Sequence, residues 1–66
     1  MKNSIRVERA VVKISQQQLA DAIGVSRQTI YAIESGKYIP STVLSLKIAR
    51  FFKKPVEEVF QLEEND

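Results

Sequence analysis

The chain has 66 residues, a net charge of +2, and neither cysteine nor histidine. Its length predicts one small domain over residues 1–66, and the two missing residue types exclude disulfides and the usual zinc sites, so stability must come from helix packing or a partner subunit. No apolar run is long enough to span a membrane and the N-terminus has no signal-peptide core, which predicts a soluble, cytoplasmic protein.

The first predicted helix runs from Asn3 to Val12. Ile5, Arg9 and Val12 are spaced four and three residues apart, so they share one face of that helix, which we expect to pack on the core. Arg9 is the one charged residue on this otherwise apolar face.

The second predicted helix has a clear beginning and end. Ser15 is a favourable N-cap, and Gln18, three residues later, completes a capping-box pattern. Gly24 ends the helix because glycine tolerates the left-handed conformation of a C-terminal cap. The apolar stripe between these signals consists of Leu19, Ala20 and Ile23.

The third predicted helix follows a short turn that contains Val25. Ser26 is its N-cap, and the helix runs from Arg27 until Gly36 ends it. The periodicity places Ile30 and Ile33 inward. The residues that face outward or sideways are Arg27, Gln28, Tyr31 and Ala32.

Two further helices and a short strand complete the prediction. Ser41 caps a fourth helix, and Pro55 fits the first turn of a fifth. Their predicted core residues are Leu44, Ile48, Ala49 and Phe52 in the fourth, and Val56, Val59 and Phe60 in the fifth. The alternation in residues 61–63 predicts a strand that pairs with the N-terminal residues or with another subunit. The predicted fold class is all-α, with five helices and one short C-terminal β-strand.

Residues 16–35 match the physical requirements of a helix-turn-helix motif. Two helices that cross closely need a small residue at the crossing point, which Ala20 supplies. The turn between them needs a residue that accepts positive φ, and Gly24 follows four positions later.

Charge is divided unevenly along the chain. All ten lysines and arginines lie in residues 1–54 with only three acids, whereas the last twelve residues hold five acids and no base. A basic body with an acidic tail, residues 61–66, is typical of a protein that offers one surface to a polyanion. A solvated surface with a solubilising tail would give the same pattern.

Polar side chains on the motif suit the recognition of double-stranded DNA. Arg27 can donate two hydrogen bonds to guanine, and Gln28 can pair with adenine in a similar way, while hydroxyl groups suit phosphate oxygens. The candidate DNA-binding residues are Gln16, Gln17, Ser26, Arg27, Gln28, Thr29, Tyr31, Lys37 and Tyr38. Three of these residues have a structural alternative to a DNA contact. Gln17 is a good helix former, Tyr31 fits an ordinary solvent-exposed surface position, and Tyr38 is equally compatible with packing on the core.

The segment SQQQLADAIGVSRQTIYAIESGKYIP, residues 15–40, resembles the core of the lambda repressor/Cro-type helix-turn-helix family, also called the xenobiotic response element family. The resemblance extends from Ile5 to about Phe60. It implies a compact five-helix DNA-binding domain in which Arg27 and Gln28 are the main base-reading residues and Gln16 contacts phosphate. Tyr31 and Ala32 match secondary base-reading positions, although alanine departs from the polar residue that some relatives have there.

The resemblance also implies a role and a buried ion pair. Short relatives with a similar acidic tail act as homodimeric repressors, so we expect a transcriptional repressor that binds an inverted repeat. Arg9 and Glu34 match a semi-buried salt bridge that ties the first helix to the third. The candidates for a dimer interface are Val7, Val11, Leu62 and the outer face of the fifth helix.

Other functions remain open at this point. The same fold serves as a protein-interaction or antitoxin-type module, and a general nucleic-acid coating protein would show the same basic surface. No cofactor motif, metal-ligand set or nucleophile–base pair is visible, so we expect no enzyme, no cofactor, no metal site and no obligatory small-molecule ligand.

Overall fold

The computed structural model describes every residue from Met1 to Asp66. Five helices and two very short strands follow one another along the chain. They are β1 (Lys2–Asn3), α1 (Ile5–Val12), α2 (Gln16–Ile23), α3 (Arg27–Glu34), α4 (Thr42–Phe51), α5 (Val56–Val59) and β2 (Phe60–Gln61). This arrangement confirms the predicted five-helix class with a short C-terminal strand. No helix is long and apolar enough to cross a membrane.

The two ends of the chain meet in a small antiparallel sheet. Lys2 pairs with Gln61, and Asn3 pairs with Phe60. The predicted helix start at Asn3 is therefore wrong, because the Asn3 Oδ1 accepts a hydrogen bond from the Ile5 amide at 3.2 Å and the helix begins only there. The predicted strand lies slightly too late in the sequence: Phe60 is buried within it, whereas Leu62 is 80% exposed beyond it.

Serine caps begin the three central helices as the sequence predicts. The Ser15 Oγ accepts from the Gln18 amide at 3.0 Å, and the Ser15 amide donates to the Gln18 Oε1 at 2.8 Å, which completes the capping box. Ser26 and Ser41 accept in the same way from the amides three residues later. Each cap satisfies a backbone donor that the first helical turn leaves free.

The core is a single cluster to which every helix contributes. Its buried apolar residues are Ile5, Leu19, Ala20, Ile30, Ile33, Ile48, Ala49, Phe52, Val59 and Phe60. Val12 was predicted to face this core and instead is 49% exposed. The reason is local: Lys13 adopts φ +60° and turns the chain, so that Ile14 packs against the core in its place.

A buried acid on α1 was not predicted. Glu8 is only 8% exposed, and its Oε2 accepts from the Lys54 Nζ at 2.9 Å. The carboxylate raises the pKa of Lys54, because a hydrogen bond and the opposite charge both favour the ammonium form. Lys54 lies beyond the end of α4, and its ion pair with Glu8 connects that segment to α1.

Candidate nucleic-acid interface

The two helices of the predicted motif pack closely around Ala20. This residue is fully buried, and its carbonyl oxygen accepts from the amides of Gly24 and Val25 at 2.8 and 3.0 Å. Gly24 has φ +90°, a conformation that side chains other than glycine adopt at a cost. The small residue and the glycine therefore have the structural roles that their spacing predicts: α2 approaches α3 closely, and the turn between them is tight.

The beginning of α3 is held by two hydroxyl groups. The Ser26 Oγ accepts from the Thr29 amide at 3.2 Å and lies 3.0 Å from the Thr29 Oγ1. This leaves the amides of Arg27 and Gln28 without an intrahelical acceptor, as at any helix start, and such amides suit an anion. The phosphate contacts predicted for Ser26 and Thr29 stay predictions.

The outer face of α3 carries three side chains that are exposed to solvent. Arg27 and Gln28 are exposed, and neither side chain makes a hydrogen bond or an ion pair within the chain. Tyr31 lies one turn further on and is half exposed. Residues three and four apart share a helix face, so the three side chains form one exposed polar surface.

The two glutamines at the start of α2 behave differently. Gln17 donates along its own helix to the Asp21 Oδ1 at 2.8 Å and is exposed. Gln16 is half buried, and its Nε2 donates to the Glu34 Oε1 at 3.1 Å. Contacts of either residue with phosphate remain predictions, but only Gln16 is tied to another helix.

Lys37 and Tyr38 lie just beyond α3. Their amides both donate to the carbonyl oxygen of Ala32, at 2.9 and 3.2 Å, while Gly36 has φ +80°. Backbone bonds thus fix the loop where α3 ends, and both side chains are exposed. For Tyr38 this exposure speaks against the alternative of packing on the core.

The predicted ion pair between α1 and α3 is present. Arg9 donates through Nε to the Glu34 Oε2 at 2.7 Å and through its second terminal nitrogen to Oε1 at 3.1 Å. The Glu34 side chain is 1% exposed. Arg6 was missed: its Nε lies 3.9 Å from the same Oε1, and its side chain is 76% exposed. Its spacing from Arg9, one helical turn, is the signal that would have found it.

The acidic tail folds against the N-terminus. The Met1 ammonium lies 3.0 Å from the Glu63 Oε1 and 2.9 Å from Asp66. These contacts raise the pKa of the α-amine and, with the Glu63 amide, lower that of Asp66. No group of three or more acidic side chains lies close enough to hold a metal ion.

Comparison with known proteins decides the family. A family model described as helix-turn-helix matches residues 5–59, which covers all five helices. The chain belongs to the Cro/C1-type helix-turn-helix family. Members of this family are transcriptional regulators, which is not a class of enzymes, and the protein is accordingly a DNA-binding helix-turn-helix regulator.

Relatives from archaea and bacteria match the regulator over its full length. An HTH-type transcriptional regulator of Methanocaldococcus jannaschii is 48% identical over 66 residues, and one of Bacillus subtilis is 47% identical over 66 residues; both alignments cover 100% of each chain. Among solved structures, the restriction-modification controller protein of Aeromonas hydrophila superimposes with a TM-score of 0.77 at 30% identity, covering 85% of this chain and 81% of that one.

Proposed function

We propose that this helix-turn-helix regulator is a sequence-specific repressor that binds an inverted-repeat operator as a homodimer in the cytoplasm. The observation that carries the proposal is the outer face of α3, where Arg27, Gln28 and Tyr31 lie exposed and Arg27 and Gln28 have no partner within the chain. Arginine and glutamine are the side chains whose paired hydrogen bonds distinguish guanine and adenine in the major groove.

The other candidate residues position α3 in the major groove by binding phosphate groups. Gln16 and Gln17 begin α2, where that helix crosses a DNA strand, and their amides bind phosphate. Lys37 and Tyr38 bind phosphate at the other end of α3, and the hydroxyls of Ser26 and Thr29 do so near its start. Phosphate contacts fix the register of the helix in the groove but carry no sequence information directly.

The size of the domain supports the proposed homodimer. The molecule measures 31 × 22 × 20 Å, so one copy presents one α3 to one half-site. Two copies related by a two-fold axis would read two half-sites roughly 34 Å apart. The predicted interface candidates on α1 and the tail remain solvent-exposed in the single chain: Val7, Val11 and Leu62. A dimer seated on a promoter would repress transcription by occupying it.

The experiment is a selection of binding sites from random duplex DNA, followed by affinity measurements on the winning site and a scrambled duplex at two salt concentrations. We expect an inverted repeat, bound about a thousandfold tighter than the scrambled duplex. The test variant is Arg27→Ala, which removes a proposed base contact. Its matched control is Arg50→Ala, which removes an exposed arginine of α4. No enriched motif, together with affinity that simply collapses with salt, would overturn the proposal and favour nonspecific coating or a protein-interaction module.

A further inference from the structure

The carboxylate of Glu34 accepts hydrogen bonds from side chains of two other helices. It accepts two hydrogen bonds from Arg9 on α1 and one from Gln16 on α2, while Arg6 approaches from the solvent side. The ion pair with Arg9 alone would account for a structural role. The additional bond from Gln16 ties the start of α2 to the same carboxylate.

The hydrogen bond to Glu34 fixes the orientation of the Gln16 side chain. A carboxylate oxygen accepts and cannot donate, so the amide must turn its Nε2 towards Glu34 and its Oε1 away. One of the two Nε2 hydrogens is used at 3.1 Å, and the other remains free. Gln16, which is predicted to donate to phosphate, is thereby held in one orientation, with one N–H of its amide bonded to Glu34 and the other N–H available.

Arg6 supplies an uncommitted positive charge beside that free donor. The Gln16 Nε2 and the Arg6 Nε lie 3.1 and 3.9 Å from the same Oε1 atom, so the two nitrogens are at most about 7 Å apart. Arg9 already neutralises the carboxylate through two short bonds. Arg6 is therefore a surplus cation, largely exposed, whose terminal nitrogens have no acceptor within the chain.

We propose that Arg6 and Gln16 bind one DNA phosphate together, and that Glu34 is the positioning residue that orients Gln16. The proposal rests on the DNA binding proposed above and adds to it a contact on α1 and a role for the end of α3. A guanidinium and an amide within reach of one anion give charge-assisted hydrogen bonds, which are the stronger kind. The same buried carboxylate that holds α1 against α3 thus sets the geometry of the phosphate contact.

The first test compares Arg6→Gln with Arg50→Gln on the selected duplex. Both variants lose one exposed positive charge, but Arg50 lines a groove with Ala22 and Ile23 at the other end of α2. We expect Arg6→Gln to lower affinity about tenfold and to reduce the slope of log K against log salt by about 0.9, with sequence preference retained. An Arg6→Gln slope equal to that of Arg50→Gln would overturn the proposal.

The second test uses the double variant Arg9→Met/Glu34→Leu, which leaves the net charge unchanged and removes the side-chain acceptor of Gln16 at this position. If Glu34 is merely structural, DNA binding should be unchanged once circular dichroism shows that the variant is folded. If Glu34 positions Gln16, binding should weaken, and Gln16→Ala should cost less affinity in this background than in the wild type. Unchanged binding, with an unchanged cost of Gln16→Ala, would contradict the positioning role.

A third comparison uses the double variant Arg6→Gln/Gln16→Ala. Arg6 is exposed and Gln16 is uncharged and only half buried, so we expect this variant to fold, and unfolding followed by circular dichroism would verify it. If they share one phosphate, the double variant binds more tightly than the product of the two single losses predicts; strictly multiplicative losses would refute the sharing. If the wild type itself does not discriminate between duplexes, the proposed function fails, and that result is separate from any failure of the shared phosphate contact of Arg6 and Gln16.

Discussion

Replacing Arg9 by methionine would remove the main cation from a carboxylate that has almost no access to water. The Glu34 side chain is 1% exposed, and Arg9 donates two of its hydrogen bonds, at 2.7 and 3.1 Å. Breaking a buried ion pair by removing one partner costs about 3–5 kcal/mol. Because Arg9 itself retains some exposure, we expect the lower end, about 3 kcal/mol. The free energy of unfolding of a domain of this length is about 3–10 kcal/mol, so this loss is a large part of it. A loss of about 3 kcal/mol should lower Tm by roughly 12–24 °C.

Urea unfolding followed by circular dichroism would measure this loss directly. The matched controls are Glu34→Leu and the double variant Arg9→Met/Glu34→Leu, which replaces the pair by apolar side chains of similar length. Such a replacement is often neutral or stabilising, so the double variant should recover most of the stability lost by Arg9→Met. A loss below about 1 kcal/mol in Arg9→Met, or a double variant no more stable than the single one, would refute the reasoning.

Three further predictions concern other parts of the molecule. Arg27→Ala should weaken operator binding by about 1–3 kcal/mol and relax preference at one base pair, whereas uniform weakening across sequences would make Arg27 a phosphate contact. Gly24→Ala should destabilise the fold by about 1–2 kcal/mol in urea unfolding, since the cost lies in φ +90° and no atom lies near the added Cβ; an unchanged midpoint would contradict this. Because the pKa of Lys54 is raised, its bond to Glu8 should stabilise the protein fully below the ordinary lysine pKa and be lost as pH rises past the raised value. Glu8→Gln should abolish that dependence of Tm on alkaline pH. If Tm falls with rising pH in the same way in Glu8→Gln and in the wild type, the ion pair with Lys54 is not its cause.

Local signals made the central helices predictable. Ser15, Ser26 and Ser41 each accept from an amide three residues later, and that interaction depends only on residues close in sequence. The turn at Gly24 is of the same kind. The ends of α1 and α4 carried no such signal, because Lys13 and Lys53 adopt positive φ where glycine is the usual residue.

Long-range contacts explain most of what the sequence did not reveal. Glu8 and Lys54 are far apart in the chain, and nothing near either residue predicts their pairing. Arg9 and Glu34 were paired only through the family resemblance. The bond from Gln16 to Glu34 was missed because it depends on how closely α2 and α3 cross, which Ala20 permits but does not specify. The candidate base-reading residues were easier to predict, since their exposure follows from helix periodicity alone.

The strand pair between the chain ends has a consequence for the order of folding. Joining Lys2 to Gln61 closes a loop of nearly the whole chain, which costs about 4 kcal/mol in chain entropy, and two paired residues cannot offset that cost alone. The contacts between α2 and α3 close only a short loop and can form first. We therefore expect the terminal sheet to assemble last on a finished helical core, and its amides to exchange hydrogen with solvent sooner than those of α2 and α3.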